Sequence, residues 1–260
     1  MRINWLFFFS SCTGLAIASL TTFCDNQIIS TAQPLQQPKA YQDALIDAAD
    51  PRPDEILSSL TVINLSNQKI KWEGQANNRR VLVVTFTNEN VYQPGIISPK
   101  SDGIWVTIVP ELYNFCKQYK EAGIDRVNLN ERLVQLLGLP PKPQYTHIAE
   151  IAVAPQYLRR TTLDPDISNY ASQTFSIPIS STVKVPSNVD PVYKAWFIKQ
   201  VSNEINKKYP WTRLGYTYDW GSKTNLQTHA GLSEFVILPN SQVSTPIEVK
   251  RVVKTEEYCK

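Results

Sequence analysis

Residues 80–87, RVLVVTFT, set the strongest condition on the fold. Five consecutive apolar or β-branched residues follow Arg80, so the segment has no polar face to turn to water. A run of this kind suits a central strand covered on both sides. The rest of the chain must then supply two covering layers.

Several stretches have the right pattern to do so. Residues 103–108, GIWVTI, form the next predicted strand after a loop over 88–101, and Pro110 opens a helix where its missing N–H costs nothing. Leu112, Phe115, Cys116 and Tyr119 then fall at i, i+3, i+4 and i+7, a buried stripe. A second helix has Asn128 and Glu131 at capping-box spacing, followed by Leu133, Leu136 and Leu137. Gly138 stops it and Pro140-Pro141 prevents resumption. Residues 146–155, THIAEIAVAP, alternate as a strand. Asp190 as N-cap and Pro191 at the first position begin the longest helix, with Val192, Trp196, Phe197, Val201 and Ile205 on its apolar side. Residues 60–65 and 69–72 read as a hairpin turning at 66–68, and 233–238 and 247–253 as closing strands. Strands and helices alternate without a βαβ period or a repeat. The expectation is an α+β fold, one domain over 54–260 with a mixed, mostly antiparallel sheet and about three helices.

The N-terminal region reads differently. No charge falls between Ile3 and Cys24, and Arg2 precedes this apolar run. That is the layout of a signal peptide, with small-residue cleavage sites after Ala18 or Ala32; an uncleaved membrane anchor over 1–32 is the alternative. Thr22-Phe23 places a ring where a lipidated Cys24 would need a small residue. Residues 33–53, polar and proline-punctuated, are expected to be a linker with one helical turn near 41–49. The protein is thus expected outside the cytoplasm: periplasmic, secreted or membrane-anchored. A net charge of +3, spread evenly, argues against a nucleic-acid surface.

Without the signal segment two cysteines remain, Cys116 and Cys259. In an oxidising compartment they invite a disulfide; two separate thiols are the alternative. His147 and His229 stand far from any cysteine at ligand spacing, so no metal site is expected. Arg159-Arg160 and Asp164-Pro165-Asp166 read as a solvated ion-pair cluster rather than a phosphate site.

A site is expected in residues 209–239, which hold Trp211, Trp220, Tyr209, Tyr216, Tyr218 and His229 beside Arg213, Asp219 and Glu234. Rings that exclude water, with a few polar groups to fix orientation, suit a cleft wall; they equally suit an aromatic sheet face. Glu234 sits between Leu232 and Phe235-Val236, so an inward carboxylate there needs a partner, for which Arg213, Tyr216 and His229 are candidates. Asp219 with Glu234 could also make a glycosidase-like carboxylate pair. No Gly-x-Ser-x-Gly elbow or phosphate-cradling glycine loop is present.

Two resemblances follow from these residues. The blocks RLVQLLGLPP (132–141), WTRLGYTYDWG (211–221) and GLSEFV (231–236) resemble a group of uncharacterised exported bacterial proteins, a likeness that brings no activity. The order of an early core strand, GIWVT before Pro110-Glu111, a strand ending at Pro155, and SEFVILP (233–239) is similar to the ADP-ribosyltransferase fold. That second likeness implies an enzyme using NAD, with Glu234 holding the nicotinamide ribose and Thr107 orienting the cofactor. Trp105, Tyr216 and Tyr218 would form the nicotinamide wall and Arg213 would help bind the cofactor. Where that family has Arg or His in its early strand, this chain has Thr85 and Thr87, and Leu232 stands two residues before Glu234. That departure in the early strand favours a non-catalytic module whose aromatic cleft binds a small molecule, peptide or glycan, with Glu234 as a structural partner of Arg213. The transferase is the alternative.

Overall fold

The computed structural model describes residues 37–75, 78–100, 102–121, 129–142, 144–172, 187–202, 207–239 and 245–260. The expected signal segment, the Asn128 capping position and Ile205 lie outside them. In chain order the elements are α1 (Lys39–Asp47), β1 (Trp72–Glu73), β2 (Arg80–Thr87), β3 (Gly95–Ile97), β4 (Ile104–Ile108), α2 (Val109–Glu121) and α3 (Leu129–Leu136). They continue with β5 (His147–Val153), β6 (Leu158–Arg160), α4 (Pro191–Ser202), β7 (Tyr216–Tyr218), β8 (Ala230–Ser233), β9 (Phe235–Ile237), β10 (Ile247–Lys254) and α5 (Thr255–Tyr258).

The architecture is α+β. An eight-stranded sheet runs β3-β10-β5-β2-β4-β9-β6, with β1 beside β2, and β7 and β8 form a second, two-stranded sheet. The sheet is mostly antiparallel, as expected: every pairing among the described residues runs that way. β2 is central, as its composition requires. Val81 and Val83 point to one side with Ile104, Val106, Ile108, Ile151, Phe235 and Ile237. Val84 and Phe86 point to the other, against Leu112 and Cys116 of α2 and Leu133 of α3.

The first side is covered by irregular chain. Ile63 and Ile70 pack on it, yet residues 60–72 do not form the expected hairpin. The Asn64 side chain accepts the N–H groups of Ser66 and Asn67, and Asn67 donates to the Val62 carbonyl and accepts from Lys69 N–H. These local bonds satisfy the backbone in place of a ladder. Leu60 and Ile63 instead donate to the carbonyls of Tyr170 and Ile167. Arg160 braces the same layer: 1 % exposed, its Cζ lies 4.6 Å from the Phe235 ring centroid, and Nη2 donates to Thr61 O at 2.7 Å. The ion-pair cluster expected there is therefore only half realised. Arg159 pairs with Asp190 at 2.6 Å, whereas Arg160 is buried to close the open carbonyls of a loop layer.

The second side is covered by helices. α2 and α3 bury the stripes read from the sequence, and Gly138 at φ +63° ends α3 as expected. α4 brings Tyr193, Trp196 and Phe197 onto Trp211, Val236 and Leu238, and Asp190 caps it by accepting Val192 N–H at 2.9 Å. The folded unit starts at Gln37 rather than near Asp54. α1 occupies the expected linker because Tyr41 and Ala44 are fully buried against the α2–α3 layer, with the Tyr41 hydroxyl donating to Lys208 O at 2.5 Å. Cys116 and Cys259 form a disulfide joining α2 to the penultimate residue across 143 positions. Among the described residues no helix is long and apolar enough to cross a membrane.

Candidate functional site

Between the α1–α3 cover and α4, the helical side of the sheet is left open. The resulting cleft has a volume of about 570 Å³. The start of β4 lines it with Gly103 and Trp105, the α3 terminus with Gly138 and Leu139, and β2 with Thr85 and Phe86. Tyr209, Pro210 and Trp211 close one end, and Glu234 and Tyr218 belong to the same wall. Gly103 is obligatory here. At φ +74° it would place a Cβ 2.6 Å from Val236 Cγ2, so a side chain would force β4 away from β9.

The aromatic wall is built before any ligand arrives. Trp105 meets Trp211 edge-on with centroids 5.8 Å apart and lies 5.4 Å from Trp196. Trp196 is itself fixed by its indole N–H donating to Asp102 O at 3.1 Å. Tyr218 is held from behind, its hydroxyl donating to Asp47 at 2.8 Å and its ring stacked on His229 at 4.9 Å. These rings cannot turn freely, which is what a preorganised pocket needs.

Glu234 stands where the chain passes from β8 to β9, and its N–H donates to Gly215 O at 2.9 Å. Glu234 is half-buried, and Thr161 donates to its Oε2 at 2.5 Å. Burial pushes this carboxyl up to about 8, with the Thr161 bond pulling the other way. Among the described residues no bond to Oε1 is formed, and Glu234 is part of the cleft lining. Glu234 in turn helps raise the buried Tyr193 phenol, after the larger effect of burial.

The expected site residues divide. Trp105, Tyr218 and Glu234 share the cleft. Thr107 is buried in β4 with an Oγ1 that finds no partner, and continuing the Trp105–Val236 register by one step beyond Val106–Phe235 brings it opposite Glu234. Tyr216 belongs elsewhere. Its hydroxyl donates to Glu55 O at 3.0 Å and it lines a separate cavity of about 340 Å³ with Leu60 and Glu111. Arg213 is not the partner of Glu234 either. It adopts φ +59° and donates to Ala49 O at 2.6 Å, and burial brings it down to about 10. Asp219 does not pair with Glu234 as a second carboxylate, because Arg132 grips it at 2.7 and 2.5 Å.

Sequence reading missed Thr161, the one side chain among the described residues that bonds Glu234, and Tyr193 behind it. Thr161 follows two arginines in a loop with no period, so nothing local marks it. Tyr193 lies on the helix whose apolar side was read through Val192; the structure buries Tyr193 in its place. Among the described residues no group of His, Cys, Asp and Glu could hold a metal ion. No family model, curated protein or solved structure matches this chain.

Proposed function

We propose that this is an exported ligand-binding domain whose aromatic cleft takes a small, partly apolar molecule. One observation carries the reading: Glu234 lines an aromatic-walled cleft with one carboxyl oxygen bonded to Thr161 and the other without a partner among the described residues. A volume of about 570 Å³ falls in the range of roughly 300–1,000 Å³ for small-molecule sites, which favours such a ligand over an extended peptide or glycan. The Cys116–Cys259 disulfide supports an oxidising compartment. Fractionation should recover the domain outside the cytoplasm; an unprocessed, soluble cytoplasmic protein would contradict this.

A second reading, the transferase, has one point in its favour: extending the β4–β9 register by one step sets Thr107 opposite Glu234. The fit to NAD is otherwise poor. Tyr216 and Arg213 are engaged away from the cleft, β2 contributes Thr85 and Phe86, and among the described residues no guanidinium lines the wall to meet a pyrophosphate. Binding is tested by titrating the domain with a panel of small aromatic and aliphatic compounds, and with NAD. Binders should quench tryptophan fluorescence and lose affinity in Trp105→Phe. Nicotinamide release that vanishes in Glu234→Gln would favour the transferase, and a panel without binders at millimolar concentration would overturn the cleft as a ligand site.

A further inference from the structure

Resting on that reading, we infer that the ligand is an organic cation, a protonated primary or secondary amine on an apolar body, whose N–H donates to Oε1 of Glu234. The first ground is an imbalance of charge. A buried carboxyl ordinarily sits beside a cation, and among the described residues Glu234 does not. The neighbouring guanidinium groups are turned elsewhere: Arg132 to Asp219, Arg159 to Asp190 and Arg213 to the Ala49 carbonyl. Arg160, adjacent to Thr161, lies over Phe235 on the other face of the sheet.

The second ground is the direction of the one bond present. Thr161 donates to Oε2, an arrangement that stabilises the ionised carboxylate, and leaves Oε1 able to accept from a ligand. The third is the wall. Trp105, Trp211 and Tyr218 offer electron-rich faces and an apolar lining, suited to an ammonium group attached to a hydrocarbon. The cleft's lysines do not compete. Lys199 is half-exposed at the mouth and bridged to Asp102 at 2.6 Å, and Lys208 is exposed at the rim.

Around Glu234 the groups that face it are the Thr161 hydroxyl, the buried Tyr193 phenol and the Gly215 carbonyl that takes its N–H. Without ligand the carboxyl holds its proton near neutrality, since burial raises it to about 8. Binding of an ammonium group ionises it: the O–H bond at Glu234 breaks, the proton leaves to solvent, and an N–H···O⁻ contact takes its place. Cation binding and proton release are therefore coupled.

Calorimetry with phenethylamine and its neutral counterpart 2-phenylethanol tests this in buffers of different ionisation heat. At pH 7 the amine should bind about tenfold or more tighter than the alcohol and release close to one proton, about tenfold affinity being gained per pH unit up to about 8. In Glu234→Gln, with its melting curve as a folding control, the preference and the proton release should both vanish. An alcohol that binds as tightly as the amine, or a preference that survives Glu234→Gln, overturns the cation while leaving the cleft a ligand site. So does binding by other panel compounds and by neither of this pair. Failure of every compound overturns the cleft reading itself.

Discussion

Glu234 is the cleft carboxyl that burial raises into the neutral range. Its folded carboxyl titrates at about 8 against an ordinary 4.5, so the folded state holds the proton more tightly than the unfolded chain. The contribution to stability is full below 4.5 and is lost as pH rises through about 8. At ~1.4 kcal/mol per pH unit the loss across that interval is about 4–5 kcal/mol. Glu234→Gln cannot titrate, so urea unfolding should show wild type losing stability relative to the variant between pH 5 and 8. A difference that stays flat with pH would mean the carboxyl is solvated. The sequence exposed Glu234 as a carboxylate among apolar neighbours, and that much was enough to find it. Its partner was not legible, because Thr161 reaches it across 73 positions.

At the scale of elements, the periodic stretches were readable and the aperiodic ones were not. The i, i+3, i+4 stripe of α2, the glycine stop of α3 and the Asp-Pro start of α4 all stand in the fold. Residues 60–72 form no hairpin, and the single helical turn expected near 41–49 is a full helix, α1, for one physical reason. Their structure is set by side-chain bonds and distant packing, Asn64 and Asn67 in one case and Tyr41 in the other. Nor does alternation tell which strand end meets a cleft: Tyr216 and Tyr218 sit two apart in β7, yet one lines the small cavity and the other the large. α4 supports the wall through Trp196, which is buried against Trp105 and Trp211. Trp196→Ala should cost roughly 3–5 kcal/mol in chemical denaturation and loosen the cleft. An unchanged midpoint would mean that the helix is peripheral.

Across the whole molecule, the disulfide links the α2 layer to the end of β10 and α5, on the same side of the sheet as the cleft. Closing a loop of 143 residues restricts the unfolded chain by about 4–5 kcal/mol at most. A Cys116→Ser, Cys259→Ser double variant should melt well below wild type, and reducing agent should lower the wild-type melt but leave the variant's unchanged. Equal melting temperatures would show that packing alone holds the C-terminus. Glu234 lines an aromatic cleft and, among the described residues, has no cationic partner. Carbon-13 NMR of the glutamate carboxyls, with the Glu234 signal assigned by its loss in Glu234→Gln, measures that directly. The prediction is a midpoint near 8 in the free protein, moving down when an amine binds. A midpoint near 4.5, unmoved by any cleft ligand, would contradict it.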